Sequence, residues 1–196
     1  MAVSGIDGSG KGYITEGIAS QLQAQRAGMV TINVDGWLHL PSRRFNEQQP
    51  GEHFYKNGIR FAEMFEQLVL PLQRKRSLQV KVALADATNA IDYRDHVYDF
   101  RDVAIILLEG IFLFKRAFCG YYDLSFWIDC TFETALERAL QRKQEGLSAE
   151  QTIRDYERIY FAAQRIHLGR DDPVSKADLV IPNDTRLGPL SVGVKA

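Results

Sequence analysis

Residues Gly5-Ile6-Asp7-Gly8-Ser9-Gly10-Lys11 match the pattern G-x-x-x-x-G-K, and the apolar stub Ala2-Val3 stands just before them. A loop of this kind turns successive backbone N–H groups inward, making a concave nest for phosphate oxygens. The helix expected after it adds the positive end of its dipole, and Lys11 can reach the outer phosphates. Tyr13–Ala27 reads as that helix, with Ile14, Ile18 and Leu22 on one face and Gly28 as its stop. Strand, Gly-rich turn and helix in this order point to a nucleotide-phosphate site rather than a plain turn. Its candidate residues are Gly5, Asp7, Gly8, Ser9, Gly10, Lys11, Gly12 and Tyr13.

One letter departs from the usual loop. Position 12 ordinarily carries Ser or Thr, whose hydroxyl holds Mg²⁺, but here it is Gly12, followed by Tyr13. Gly at this place also occurs in loops resembling those of adenylate and cytidylate kinases, where water fills that coordination position. Mg²⁺ keeps several waters readily, so the departure bears on the metal more than on the phosphate.

A chain of 196 residues, 45% apolar, is long enough for one well-buried core, and a single domain over residues 1–196 is expected. Its net charge of −1 gives no general pull toward nucleic acid or an anionic membrane. Cys119 and Cys130 lie in or beside apolar segments, and two thiols do not make a disulfide framework. No basic-then-apolar leader opens the sequence, and a reducing, cytoplasmic setting is expected. Val103–Phe114, the most apolar stretch, contains Glu109 and Gly110 and is too short to span a bilayer. Only Met1–Ser4 remain for a first strand, which is either short or truncated. Self-association is left open.

Strand-like and helix-like segments then alternate. Met29–Val34 is a short β-branched run, and Ile59–Leu70 has helical spacing ending near Pro71. Leu78–Leu84 alternates weakly, as a third strand would. Val103–Glu109 and Leu124–Asp129 are nearly continuous apolar runs ending in a carboxylate, as expected of strands buried on both faces of a parallel sheet. Phe132–Lys143 and Ala149–Leu168 read as helices, and Asp178–Ile181 as a last strand stopped by Pro182. These βαβ units imply a three-layer α/β/α fold of the P-loop NTPase kind. Its sheet would be mostly parallel and doubly wound, with a short helical lid and the ligand at the carboxyl ends of the strands.

Carboxylates at those strand ends are the candidates for chemistry. Asp35 follows the second strand beside the loop, and Glu109 ends the Val103 strand. In phosphoryl transfer one acid accepts the proton of the attacking hydroxyl, and another holds Mg²⁺ directly or through water. A turn-forming Asp-Gly and an N-capping Glu are the plainer readings. Asp7 either joins the site or braces the loop.

At this point the sequence resembles the uridine–cytidine kinases. The resemblance rests on Gly5–Lys11, Asp35-Gly36-Trp37, Leu107-Leu108-Glu109-Gly110-Ile111, Ile128-Asp129 and Ala177-Asp178-Leu179-Val180-Ile181-Pro182-Asn183, in that order. Phosphoribulokinases, bacterial pantothenate kinases and nicotinamide riboside kinases share that architecture. The resemblance implies transfer of the ATP γ-phosphoryl group to a hydroxyl of a small metabolite, with ATP and Mg²⁺ as cofactors. Asp35 matches the acid beside the acceptor hydroxyl, and Glu109 the acid near the metal. Arg138 and Arg142 match the arginines leading into a mobile lid, here about residues 138–150. The family usually doubles the first arginine and follows the second with Asp; this chain has Ala139 and Lys143. Arginine forks at that place would neutralise the transferring phosphoryl and exclude water; the alternative is two solvated arginines paired with Glu137 or Glu145.

The acceptor pocket is less legible. The Phe-Asp-x-Pro motif of uridine kinases is absent, and His53-Phe54-Tyr55-Lys56-Asn57 occupies roughly its place. Where a Tyr-Asp-Tyr/Phe motif is expected, the chain reads Leu84-Ala85-Asp86-Ala87-Thr88, while Ile91-Asp92-Tyr93 comes too late. Acceptor candidates are therefore Trp37, Arg43, Arg44, His53, Tyr55 and Asp86, with His39 in the same loop. Arg43-Arg44 either face a negatively charged acceptor or are solvated. Arg74-Lys75-Arg76 reads as a solvated helix end, and Tyr156, Tyr160 and Phe161 as core packing; His96 and His167 have no nameable partners. A nucleoside is the first-choice acceptor. The alternatives are a sugar, sugar phosphate, pantothenate-like alcohol or nicotinamide riboside, a nucleoside monophosphate, or no acceptor at all in a nucleotide-binding switch. Against a switch, no Asn-Lys-x-Asp guanine signature is present.

Overall fold

The aliphatic runs of this chain carry too much apolar surface to face water on either side, and a sheet covered on both faces buries them. The computed structural model describes residues 1–26, 28–86, 91–142 and 146–188, and the backbone of 193–194. Strand β1 (Ala2–Gly5) runs into helix α1 (Lys11–Ala24), and β2 (Met29–Asn33) follows. After a 3-10 turn (Val34–Trp37) come helices α2 (Pro41–Arg44) and α3 (Pro50–Asn57). Next, α4 (Phe61–Met64), a π turn (Phe65–Val69) and α5 (Leu70–Lys75) form one continuous rod. Strands β3 (Leu78–Ala85), β4 (Tyr93–Phe100), β5 (Ile105–Glu109) and β6 (Ser125–Asp129) lead to helix α6 (Phe132–Arg142). A second rod is built of α7 (Ala149–Asp155), a π turn (Tyr156–Tyr160) and α8 (Phe161–Asp171). Helix α9 (Pro173–Lys176) and strands β7 (Leu179–Pro182) and β8 (Gly193–Val194) follow. Among the described residues no helix is long and apolar enough to cross a membrane.

The main sheet has the order β2-β5-β1-β6-β7-β8, parallel except for β8. Side chains alternate across it. Val3, Leu107, Phe126 and Ile128 pack with Ile14 and Ile18 of α1, while Ala2, Leu108 and Trp127 turn to the larger cluster on the other face. Each large aliphatic or aromatic side chain so buried contributes roughly 1.5–3 kcal/mol. Register brings Val3 and Asn33 opposite Glu109 from either side. The ends of β1, β2 and β5 therefore share one edge. From β1 the chain first goes to β2 and β5 on one side, then to β6 and β7 on the other, so the crossover opens a crevice at the carboxyl end of β1.

Several boundaries differ from the sequence reading, each for a physical reason. Helix α1 starts at Lys11, because Gly10 in the left-handed conformation ends the loop there. The first rod passes through Pro71, which lacks an N–H. The π turn widens the ladder just before it, with Leu70 N–H bonding Phe65 O, so the proline falls where the hydrogen-bond register already changes. Asp178 lies outside β7 and accepts from Ser125 N–H at 2.7 Å, while Pro182 is the strand's last residue. Arg76 is more than a solvated helix end: its guanidinium donates to Ala104 O at 2.8 Å.

The largest correction concerns β3. It is a strand, but it pairs antiparallel with β4 in a separate two-stranded sheet. Its burial alternates, with Val82 inside and Gln79 and Lys81 in water. That is the pattern of a sheet with one wet face rather than of a central parallel strand. Strand β4, Tyr-Arg-Asp-His-Val-Tyr-Asp-Phe, is exposed over most of its length, and no apolar run announces it.

Candidate active site

Local bonds close the turn between β1 and α1: Ser9 N–H donates to Ile6 O at 3.1 Å and Gly8 N–H to Asp7 Oδ1 at 3.0 Å. Gly8 and Gly10 have φ of 79° and 86°, which glycine adopts without strain. A side chain would also collide there, with the Ala135 carbonyl 2.6 Å from a Cβ at Gly8 and the Asn183 amide against one at Gly10. The first hydrogen bond entering α1 runs from Ile14 N–H to Gly10 O at 3.2 Å. No side chain caps this end and no acid lies in its first turn. The amides of Lys11, Gly12 and Tyr13 are thus free of helix partners and available to an external anion.

Two acids stand over the loop, both set by Asn33 at the end of β2. Its Nδ2 donates to Glu109 Oε2 at 2.6 Å, and its Oδ1 accepts from Asp35 N–H at 2.7 Å. Lys11 Nζ lies 4.0 Å from Glu109 Oε1 and 4.0 Å from Asp7 Oδ1. Burial pushes the Glu109 carboxyl above the usual carboxylate range; Lys11 and Asn33 oppose the rise, and Asp35 and Asp7 add to it. Asp35 moves in the same direction because protein surrounds it, with Lys11, Arg142 and Arg44 pulling down and Asp7 pushing up. Asp35 is nevertheless exposed to water, which limits the rise.

The cationic wall comes from α6. Arg138 Nη1 donates to Ser9 O at 3.0 Å and Gly8 O at 3.4 Å, and Nη2 to Asn183 O at 2.7 Å. It braces the back of the loop and is not a solvated arginine. Arg142 remains exposed, its Nη2 4.0 Å from Asp7 Oδ1. Glu137 pairs with neither arginine but with Arg186 at 2.7 Å. Gly8, Gly10, Arg138, Gln141 and Arg142 line a cleft of about 300 Å³ beside the loop. Of the expected lid, residues 143–145, including Glu145, lie outside the described residues.

The acceptor candidates scatter. Arg44 adds its field to Asp35 and donates to His39 O at 3.3 Å. Arg43 is exposed, and its carbonyl bonds His53 Nε2 at 2.7 Å, so His53 braces the loop instead of facing a ligand. Trp37 is fully buried with the Arg60 guanidinium 5.2 Å from its ring, which leaves no open face for stacking. Tyr55 is a core residue whose hydroxyl donates to Asp171 at 2.5 Å, and Asp171 also bonds His167 at 2.7 Å. Asp86 is buried and paired with Arg94. The partner of Tyr55 lies 116 residues along the chain, beyond the reach of any spacing rule, whereas that of His167 stands one helical turn away on α8.

Three site residues escaped the sequence reading. Asn33 was signalled only by standing two residues before Asp35, the offset of an Asx turn. Asn183 Nδ2 donates to Ser9 O at 2.8 Å. Tyr156 is packed in the core as expected, yet its hydroxyl donates to Asp7 Oδ2 at 2.6 Å.

Among the described residues no cluster of three or more His, Cys, Asp or Glu side chains could cage a metal. Mg²⁺ does not require one, since it binds through one or two carboxylates, waters and substrate phosphates. Glu109, whose pKa the neighbouring Asp35 helps to raise, would be such a ligand, and a divalent cation would relieve that repulsion. At Gly12 nothing lies within 4 Å of where a Cβ would stand, so a serine fits. Gly12→Ser is expected to lower the Mg²⁺ concentration giving half-maximal rate in a metal titration; an unchanged requirement would exclude a metal beside residue 12.

No protein-family model and no curated protein sequence matches the chain. Solved structures do. One described as a "possible uridine kinase" from Bacillus stearothermophilus superposes with a TM-score of 0.74 at 18% identity, covering 92% of this chain and 86% of that one. D-glycerate 3-kinase from Cryptococcus neoformans var. grubii gives 0.65 at 10% identity, covering 98% and 89%. The YGR205w protein gives 0.63 at 13% identity with the same coverage. The chain therefore has the α/β P-loop NTPase fold that these solved structures share.

Proposed function

We propose that this chain transfers the γ-phosphoryl group of ATP to a hydroxyl of a small metabolite. The observation that carries the reading is the meeting of Asp35 and Glu109 with Lys11 at the mouth of the loop. The free amides at the start of α1, with Lys11, hold the phosphates, and Arg142 is placed to cover them from the cleft. Bound Mg²⁺, held by Glu109 directly or through water, would supply positive charge to the phosphate oxygens. Asp35 takes the proton of the acceptor hydroxyl as its oxygen bonds to the γ-phosphorus, while the bond to the β-phosphate oxygen breaks and ADP leaves.

For the acceptor, a nucleoside is the first class to test, in keeping with the fold shared with the possible uridine kinase. A hydroxy acid or phosphorylated alcohol is the second. It is favoured by Arg44, whose charge is felt at Asp35. The D-glycerate 3-kinase of similar fold is named for such an acid.

A panel of nucleosides, sugars, sugar phosphates, hydroxy acids and nucleoside monophosphates, read by ADP release from Mg-ATP, tests this directly. One class is expected to raise ADP release well above the ATP-only rate. Bound nucleotide with no stimulation by any class would turn the reading to a binding protein or switch.

A further inference from the structure

Asp7 is an awkward residue to find inside a phosphate-binding loop, because its negative charge opposes the ligand. Its Oδ1 lies 4.0 Å from both Lys11 Nζ and Arg142 Nη2, at the outer limit of an ion pair. These are the cations assigned above to phosphate, and a small swing of Asp7 would bring it into direct contact with either. Two bonds prevent the swing. Oδ1 accepts the N–H of Gly8 at 3.0 Å, and Oδ2 accepts the hydroxyl of Tyr156 at 2.6 Å. The Tyr156 ring is itself immobilised: it is buried, and Tyr160 and Phe161 contact it edge-on, each at 5.2 Å between centroids. It is the first residue of the π turn in the second rod.

We infer that Tyr156 is a positioning residue for ATP, whose hydroxyl holds the Asp7 carboxylate back from Lys11 and Arg142 so that both cations stay available to phosphate. The inference rests on the kinase reading above for its purpose, though its physics is a matter of nucleotide affinity alone. Without the hydroxyl, Asp7 closes on a neighbouring cation, and ATP must break that contact before it binds. Hydrogen bonds to charged groups are worth about 1.5–3 kcal/mol, which corresponds to about tenfold or more in affinity.

Calorimetric titration of ATP into four proteins tests it: wild type, Tyr156→Phe, Asp7→Asn, which keeps an acceptor oxygen for Gly8 N–H but not the charge, and the double variant, with thermal unfolding of each. Tyr156→Phe is expected to weaken ATP binding about tenfold. Asp7→Asn is expected to keep or improve binding, and in that background Tyr156→Phe should change nothing, because the competing charge has gone. A purely structural tyrosine would give the same loss with either residue at position 7. That result, or wild-type affinity in Tyr156→Phe, overturns the inference. Should Tyr156→Phe fail to fold, a clear loss of affinity in Asp7→Asn alone overturns it, and retained or improved affinity supports it. A wild-type chain that binds no ATP defeats the kinase reading itself, whereas ATP binding without any phosphorylated acceptor leaves this coupling measurable.

Discussion

Lys11→Ala is expected to weaken ATP binding by about 10- to 100-fold, from loss of charge-assisted contacts worth about 1.5–3 kcal/mol. The expectation draws on more than the loop pattern. Lys11 stands 4.0 Å from both Glu109 and Asp7, and it is the strongest influence holding the Glu109 and Asp35 pKa values down. Its removal leaves those carboxylates facing an incoming polyphosphate with their main counter-charge gone. Glu109, already raised by burial, would hold its proton to still higher pH, so the variant should also bind Mg²⁺ less well at neutral pH. The loop backbone should survive, since its bonds run between Ser9 and Ile6, Gly8 and Asp7, and Arg138 and the Ser9 carbonyl. Calorimetry with ATP, beside a thermal melt, separates loss of binding from loss of fold. Unchanged affinity and turnover would remove the Gly5–Lys11 turn from the nucleotide site.

The parts of this architecture that could be read from sequence are those where a local rule coincides with the tertiary answer. A Gly-rich turn between an apolar stub and a helix pattern fixed β1, the loop and α1 together, and aliphatic runs ending in Asp or Glu gave β5 and β6 their places. That Glu109 at the end of β5 and Asp35 in the turn just after β2 share one edge was legible because parallel strands bring their carboxyl ends together. What failed was information held in partners. Strand β4 is polar and mostly exposed, and exists because β3 offers it a ladder of eight residue pairs. Trp37 and Tyr55 lie in a segment matching an acceptor loop, yet Arg60 covers one and Asp171 takes the hydroxyl of the other. The Tyr156–Asp7 bond joins residues 149 apart. Aromatic spacing on a helix reports that a ring is buried and is silent about where its hydroxyl ends.

Asp35→Asn is expected to lower kcat by about 10²- to 10⁴-fold while ATP affinity is kept, because only proton acceptance and hydroxyl orientation are lost. Asparagine preserves the shape of the 3-10 turn and the backbone N–H that Asn33 holds at 2.7 Å, so the loop should stay in place. The pH dependence gives a second signature. A base must be ionised to work, and the surrounding protein shifts Asp35 upward, so the wild-type rate should fall on acidification at a higher pH than an ordinary aspartate would allow. In the variant that limb should be missing or reduced to whatever Glu109 contributes. Stability should move the opposite way. A carboxyl whose folded pKa is raised binds its proton more tightly folded than unfolded, so its ionisation costs stability above the folded pKa and costs nothing below the unfolded one. Replacing it by a neutral amide should therefore leave the thermal midpoint at neutral pH unchanged or higher, even as turnover collapses. A variant that is stable, binds ATP and is nearly inactive would make Asp35 the group that meets the acceptor hydroxyl. Full activity in Asp35→Asn would send the search for a base to Glu109, the other carboxylate at this edge of the sheet.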